Sequence, residues 1–487
     1  MQTATLFNSK KKRYPLFVAI SFSVLGVFTQ GLKFWNGPMY GDDYLTTAEF
    51  IAPDNSFFSA VFNTGSGKWR PLNNIYLYFT THYFRFDYLP YLIINRFLLI
   101  FCAVTTGLLA YSFSKSFIAV ALASFSVSIS HLTYMGQISI FGFMELGSTI
   151  FWVAAIHSAI SSIEIREKNP PYAEFLQILS VSSFLCSCLI HERFQVASLC
   201  FFYLFRKMSS TPKRIRSRSL LFLLVPGFIT VSKYLLQINP LQGGGEATFS
   251  TTVSKSLSQN FQYSILGLFG YFSGAGKFID DVSGLDDLSR SNELKFFGVA
   301  ITFLPFFLSC TFLLFHIIRQ KSCSKFIDYK FWILLSLLIF FLIPGSTVIS
   351  RIEARWLFQS QILLLLIGFS ILHNSSVKNL FRLFSIIQVL AFIGISTIYN
   401  LHSDDYTALR NQPSSVLVEL EEVSPTSGAW NLAINHTGPP MPTWWQFAYG
   451  GSFSQLSNPP TIVESCSNVK NCLTVYLYGA DLDFKIR

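Results

Sequence analysis

Charge is what this sequence has least of. Asp, Glu, Lys and Arg make up 13% of its 487 residues, against about 25% in soluble domains. A water-soluble fold of this length is excluded on that ground. Several chemical signatures are missing as well. No Gly-rich Lys-Ser/Thr phosphate loop appears, so ATP-driven pumping is not expected. There is no His-Glu-x-x-His pattern and no Gly-x-Ser-x-Gly nucleophile elbow. The 8 cysteines show no zinc-ligand spacing. Cys102, Cys186, Cys188, Cys200 and Cys310 lie within or at the ends of apolar segments, and Cys323 lies in a basic loop. Cys466 and Cys472, in the polar tail, are the pair placed to form a disulfide. Neither an internal repeat nor a low-complexity tract is present.

What the sequence does have is apolar and comes in blocks. Mean hydropathy is +0.44, hydrophobic residues reach 51%, and aromatics reach 17% with 52 Phe. Residues 331–348 and 357–372 carry no charge, and 381–398 carry only Arg382. Such runs approach the ~20 residues that a helix needs to cross the hydrocarbon core. The net charge of +10 falls in short clusters between these blocks. It forms no continuous stripe with base-stacking residues, so nucleic acid is not an expected partner.

The basic clusters orient the chain. Lys10, Lys11, Lys12 and Arg13 precede the first apolar run, Tyr14 to about Gln30. No small-residue cleavage site follows, so this run reads as an uncleaved helix with a cytoplasmic N-terminus. Further spans are expected near 89–112, 116–134, 144–162, 173–190, 193–206, 219–238, 295–318, 331–349, 355–372 and 381–399. Alternation then puts Lys115, the Arg166/Lys168 pair, the cluster from Arg206 to Arg218, the group Arg319, Lys321 and Lys325, and the Lys378/Arg382 pair on the N-terminal side. Hydropathy did not impose that agreement, and the positive-inside rule accounts for it.

The expected fold is therefore an all-α polytopic membrane protein of about eleven transmembrane helices. Residues 1–400 form the membrane region, with external loops at 32–88 and 239–294; the first of these reads as holding short interfacial helices. Residues 401–487 read as a small extracytoplasmic domain with some β structure, including the β-like run 473–478.

On this map the ionisable residues near membrane depth gather at the external face. Asp42 and Asp43 follow the first span, and Lys68 and Arg70 lie in the same loop. Arg96 is a turn into the second span, His131 ends the third, and Glu145 begins the fourth. His191, Glu192 and Arg193 form the turn between the fifth and sixth, Lys233 is near the outer end of the seventh, and Arg351, Glu353 and Arg355 open the tenth. Charges at this depth are costly and by default mark a site or pathway. A proton conduit would also occupy the midplane, which is nearly empty. The pattern instead predicts an externally open cavity able to hold a phosphate headgroup.

Each feature also has a plainer reading. Of Asp42 and Asp43, one can take a proton from an attacking hydroxyl while the other holds a metal or a sugar; alternatively, an Asp caps a helix starting near Tyr44. Arg70, in Trp69-Arg70-Pro71-Leu72, can bind phosphate bidentately or sit as an interfacial Arg beside a Trp anchor. Arg351 and Arg355 fall four apart on one helical face, suited to phosphate or to snorkelling. Asp280, Asp281, Asp286 and Asp287 read as a solvated loop, and Asn435-His436-Thr437 matches a glycosylation sequon.

Taken in order, these elements resemble the GT-C superfamily of membrane glycosyltransferases. Asp42-Asp43 matches the acidic pair of that family's first external loop. Trp69-Arg70-Pro71-Leu72 matches the aromatic-Arg-Pro-Leu motif of the lumenal O-mannosyltransferases, and Asn95 their Asn early in the second span. His131 and Glu145 match the ends of their third-to-fourth-span turn. His191-Glu192 stands where they have Lys-Glu, and Glu353-Ala-Arg-Trp356 is similar to a late Glu/Arg-aromatic segment. The likeness covers about residues 1–372; His replaces Lys, tetratricopeptide repeats are absent, and the tail is unmatched.

The resemblance implies inverting transfer of a sugar from a polyprenyl-phosphate donor to an external glycan or lipid acceptor. Asp43 or Asp42 would be the general base. Arg70, Arg193, Arg351 and Arg355 would bind the donor phosphate. His131, Glu145, His191, Glu192, Asn95 and Arg96 would orient substrate. A divalent cation, Mg or Mn, is required in some members and not others; here Asp42, Asp43 or Glu192 would hold it. In size and layout the chain looks like the bacterial glucosyltransferases that decorate O-antigen, which implies a bacterial inner membrane with an external site. The rival readings are a transporter or flippase of lipid-linked sugars or small solutes, and a non-catalytic scaffold. A transporter would be expected to show internal repeats and broken midplane helices.

Overall fold

A computed structural model describes residues 9–30, 41–52, 55–62, 69–133, 136–137, 139–207, 218–236, 334, 336–338, 357–373, 379–401 and 419–437, and 456–486 except for 459, 464, 468 and 479–482. The side chains of Asp42 and His131 lie outside the described part, as do Lys68, Arg351, Glu353, Arg355 and the acids at 280–287. Proposed spans 295–318 and 331–349 lie outside it too, apart from Leu334 and residues 336–338.

The described chain is mostly helical: α1 (Ser9–Thr29), α2 (Gly41–Ile51), α3 (Phe57–Val61), α4 (Pro71–Phe84), α5 (Leu89–Ser114), α6 (Phe117–Ser128), α7 (Ser148–Ile165), α8 (Pro170–Ile190), α9 (Ser198–Lys207), α10 (Leu220–Leu235), α11 (Phe358–His373) and α12 (Asn379–Leu401). Three helical stretches among the described residues are long and apolar enough to cross a membrane: Leu89–Ser114, Phe143–Ile165 and Pro170–Ile190. The shorter apolar helices Tyr14–Thr29, Phe117–Ser128, Leu220–Leu235 and Phe358–Ser370 stand on four more of the expected spans. The third of the expected spans is cut short: α6 ends at Ser128, a 3-10 turn follows at His131–Thr133, and a long helical stretch begins again at Phe143.

Small residues set the helix spacing. In the α7–α8 hairpin, Ser180 Oγ donates to the Ala155 carbonyl at 2.8 Å and Ser162 Oγ to that of Ala173 at 2.6 Å. Gly107 of α5 meets Ser124 of α6, and Gly26 of α1 meets Ser128, so closely that a Cβ at either glycine would clash. This is how helices associate in lipid, where apolar burial drives nothing and close backbone approach supplies the contact. The turn between α7 and α8 is capped by Asn169, whose side chain accepts from the Tyr172 N–H, with Pro170 and Pro171 opening α8.

Helices α2, α3 and α4, within residues 41–84, form a layer over one end of the bundle. Phe50, Ala60, Leu77, Tyr88, Tyr91, Leu92 and Ile140 make its own apolar cluster. The Tyr91 hydroxyl donates to the carbonyls of Thr80 (3.2 Å) and Arg85 (3.0 Å), tying α4 to α5. Phe58, Phe79 and Tyr83 remain exposed on this layer, as befits aromatic rings at a membrane–water boundary.

Near the C-terminus, β1 (Asn431–Thr437), β2 (Thr461–Val463), β3 (Cys472–Tyr478) and β4 (Asp483–Ile486) form one sheet in the order β2-β1-β3-β4. β1 runs parallel to β2 and β3, and β4 is antiparallel to β3. The expected run 473–478 is β3. The sequon Asn435-His436-Thr437 sits in β1, one of the two inner strands, which was not expected from the sequence. Cys466 and Cys472 are bonded, closing a loop at the start of β3. Cell-impermeant alkylating reagents are expected to label both only after reduction. Labelling without reductant would show the two thiols free and accessible, and no labelling even after reduction would place this loop in the reducing interior.

Candidate functional site

The polar residues converge on the end of the bundle opposite the described basic residues Lys115, Arg166, Lys168 and Arg206. They do so because the segment after α6 is too polar to continue the span. Ser130, Thr133, Gln137 and Ser139 interrupt it, and each finds a partner inside the protein.

Asp43 is the first anchor. Helix α2 starts at Gly41, so Asp42 and Asp43 occupy its first turn rather than the residue before it, where carboxylates favour the positive end of the helix dipole. Asp43 is 3% exposed. Its Oδ2 accepts from the Tyr88 hydroxyl at 2.7 Å and from the Ile140 N–H at 3.3 Å; its Oδ1 accepts from Ser139 Oγ at 2.7 Å. Asp43 therefore pins α2 to the start of α5 and to the 139–140 turn.

Asn95 and Arg96 extend this cluster. Asn95 is fully buried and donates to the carbonyls of Ser139 (2.7 Å) and Gln137 (3.3 Å). Gly142 is required here, because a Cβ on it would overlap the Asn95 carboxamide. Arg96 donates to Gln30 Oε1 at 3.0 Å and to Gln137 Oε1. Gln30 Nε2 in turn reaches the Ser128 carbonyl at 2.7 Å, joining the ends of α1, α5 and α6.

The second cluster is ionic. A π-helical turn, Phe143–Gly147, opens α7 and brings Glu145 inward, where it is 4% exposed. Wide turns of this kind are often kept at functional sites. Arg193 Nη2 donates to Glu145 Oε2, and His191 Nε2 lies 3.9 Å from Glu145 Oε1. Arg70 grips Glu192 with two parallel bonds, Nε to Oε2 at 2.6 Å and Nη2 to Oε1 at 2.8 Å, while its Nη1 reaches Met144 Sδ at 2.8 Å. His191 Nδ1 lies 3.7 Å from Glu192 Oε2.

Arg70, Met144, Glu145, His191, Glu192 and Arg193 thus form one chain of contacts across three separate segments. Glu192 lies just past the end of the α8 span. Burial works to raise its carboxyl, but the Arg70 guanidinium, with His191 and the backbone, outweighs that and holds it well below the usual carboxylate range.

Helix α11 closes this end. Ser130 Oγ donates to Gln361 Oε1 at 2.5 Å, and Gln359 Nε2 donates to Thr149 Oγ1 at 2.7 Å. Thr149 in turn donates to the Glu145 carbonyl at 2.7 Å. Tyr88, Ser139, Gln137, Gln30, Gln359 and Gln361 were not singled out from the sequence. Their one visible signal was neutral polarity inside otherwise apolar stretches.

The described carboxylates do not suit a divalent cation. Three protein donors fill Asp43, a bidentate Arg fills Glu192, and among the described residues no three His, Cys, Asp or Glu side chains group as a cation would need.

No protein-family model matches the sequence, and it matches no curated protein. Among solved structures the chain is similar to the archaeal oligosaccharyltransferase AglB from Archaeoglobus fulgidus, determined in complex with an inhibitory peptide and a dolichol-phosphate. Identity is 11%, the TM-score is 0.47, and the match covers 93% of this chain and 65% of that one. The chain thus spans less than two thirds of the length of that protein.

Proposed function

We propose that the chain is a membrane glycosyltransferase. It would move a sugar from a polyprenyl-phosphate donor to an extracytoplasmic glycan or lipid acceptor, with inversion and with an aspartate as general base. The carrying observation is the convergence just described: buried acids and bases from segments far apart in sequence meet at one end of an apolar bundle. A scaffold has no use for buried ionisable groups at that depth, because each costs solvation.

In this reading Asp42 is the base. Asp43 is buried and already accepts from Tyr88, Ser139 and Ile140, which ties its carboxylate to holding α2 against the 139–140 turn. Asp42 shares the same helical turn and is assigned the acceptor hydroxyl. The hydroxyl proton passes to Asp42, its oxygen bonds the anomeric carbon from one face, and the bond to the phosphate oxygen breaks on the other. The carrier phosphate leaves with that electron pair. Arg351 and Arg355 are assigned to the phosphate. Arg70 and Arg193 add positive potential while bound to their own carboxylates. Glu145, His191 and Glu192 shape the sugar pocket beside them, with His131, Asn95 and Arg96 fixing the 131–142 segment. O-antigen is the acceptor class we assign, and the bacterial inner membrane the location.

The test uses purified full-length protein in nanodiscs, a polyprenyl-phosphate hexose and an O-antigen glycan. Transfer is expected with the opposite anomeric configuration in the product. Donor hydrolysis or transport without transfer, across a panel of hexoses, would remove the assignment.

A further inference from the structure

Of the cations already placed at this end, Arg96 donates to glutamine oxygens and two others are committed to acids. Arg70 is held by Glu192 and Arg193 by Glu145. Lys233 is different. On α10 the buried residues are Phe222, Val225, Ile229 and Lys233, a spacing that keeps one helical face. The opposite face is apolar and exposed, with Leu221, Leu224, Val231 and Leu235. Lys233 therefore continues the inward stripe, where an apolar residue is the ordinary choice, and it is 6% exposed.

The helix also places Lys233 at the level of the site. Phe222 stacks on Phe201 at 5.0 Å and packs on Phe184 at 5.7 Å, deep between α8 and α9. From Phe222 to Lys233 the helix rises about 16 Å, toward the end that holds His191, Glu192 and Arg193. Phe228, on the way, meets the ring of Trp69 at 6.3 Å, and Trp69 directly precedes Arg70. Among the described residues Lys233 makes no hydrogen bond and no ion pair. A lysine on an inward-facing apolar stripe, with no acid beside it among the described residues, is placed to take an anionic ligand.

Building on the transferase reading, we propose that Lys233 contacts the phosphate of the lipid carrier, approaching from the α10 side of the site. The ligand chemistry is a polyprenyl phosphate, a diester while the sugar is attached and a monoester once it has left. A compact, mobile ammonium suits a group that must bind as donor and leave as free carrier.

Thermal unfolding of the full chain in phosphate-free detergent tests this, with a long-chain polyprenyl monophosphate, inorganic phosphate and phosphatidylglycerol as separate additions. The carrier is expected to raise the wild-type midpoint and to bind Lys233→Gln about tenfold to a hundredfold more weakly. Lys233→Arg should keep most of the affinity. Where Lys233→Gln does not fold, the wild-type lysine is read directly, because bound carrier should slow its reductive methylation. An equal response to inorganic phosphate supports the phosphate contact and removes the lipid tail from it. A response to phosphatidylglycerol alone overturns the carrier assignment. Equal carrier affinity with and without Lys233, or methylation indifferent to carrier, overturns the proposal itself. Carrier binding that depends on Lys233 in a protein that transfers no sugar would sink the transferase reading and leave this contact standing.

Discussion

Replacing Asp42 by Asn is expected to lower sugar transfer by about 10²–10⁴-fold, the range for removing a general base. Stability and apparent donor affinity should change little. The neighbouring substitution, Asp43→Asn, should behave differently. Its Oδ2 accepts from the Tyr88 hydroxyl and the Ile140 N–H, and its Oδ1 from Ser139. An amide can present its oxygen to Tyr88 and Ile140, and its NH₂ to Ser139, whose hydroxyl rotates to accept. Asp43→Asn should therefore fold and keep measurable transfer. Asp43→Ala strands three donors and should lose roughly 1–3 kcal/mol of stability for each one left buried without a partner. Steady-state transfer and thermal unfolding, measured on all three variants, separate the roles. A dead Asp43→Asn beside an active Asp42→Asn would reverse the assignment.

That division of labour was not legible in the sequence, which left either aspartate as base and a helix cap as the plain alternative. The spans were legible because the physics is one-dimensional: Leu89–Ser114 and Pro170–Ile190 announce themselves by length and hydropathy alone. The one-sided position of Glu145, His191 and Arg193 followed from the same map.

Pairing was not legible. Arg70 and Glu192 are 122 residues apart, and no local pattern says that their side chains meet in two parallel bonds. The neutral residues were harder still. Ser139, Gln137 and Gln361 carry no charge to stand out in an apolar window, yet they hold Asp43, Arg96 and the start of α11 in place. Lys233 was visible as a charge near a helix end. Its place on the inward face became clear only with the buried spacing of α10.

The Arg70–Glu192 pair carries the second large effect. Arg70→Met leaves the Glu192 carboxylate without the partner that offsets its desolvation. Breaking a buried pair from one side costs about 3–5 kcal/mol; with Glu192 still 21% exposed, the lower end applies. Arg70→Met/Glu192→Met should recover most of that loss, since it removes the stranded charge along with its partner. The pH dependence fixes the cause. In the wild type the Glu192 carboxyl lies well below its unfolded value of about 4.3. Its contribution is therefore complete above that value and is lost only as pH falls through the lower folded value. In Arg70→Met the largest influence, burial, is no longer opposed by the guanidinium and favours the neutral acid. The unfolding gap between wild type and variant should then narrow as pH drops from about 7 to 5, because protonating Glu192 relieves the variant and not the wild type. A gap that stays constant over that range would mean the loss comes from packing around Met144 rather than from the stranded carboxylate. The pair also joins the start of α4 to the turn after α8, so the variant should loosen the 41–84 layer over the site. Proteolysis within that layer should accelerate in Arg70→Met and return toward the wild-type rate in the double variant.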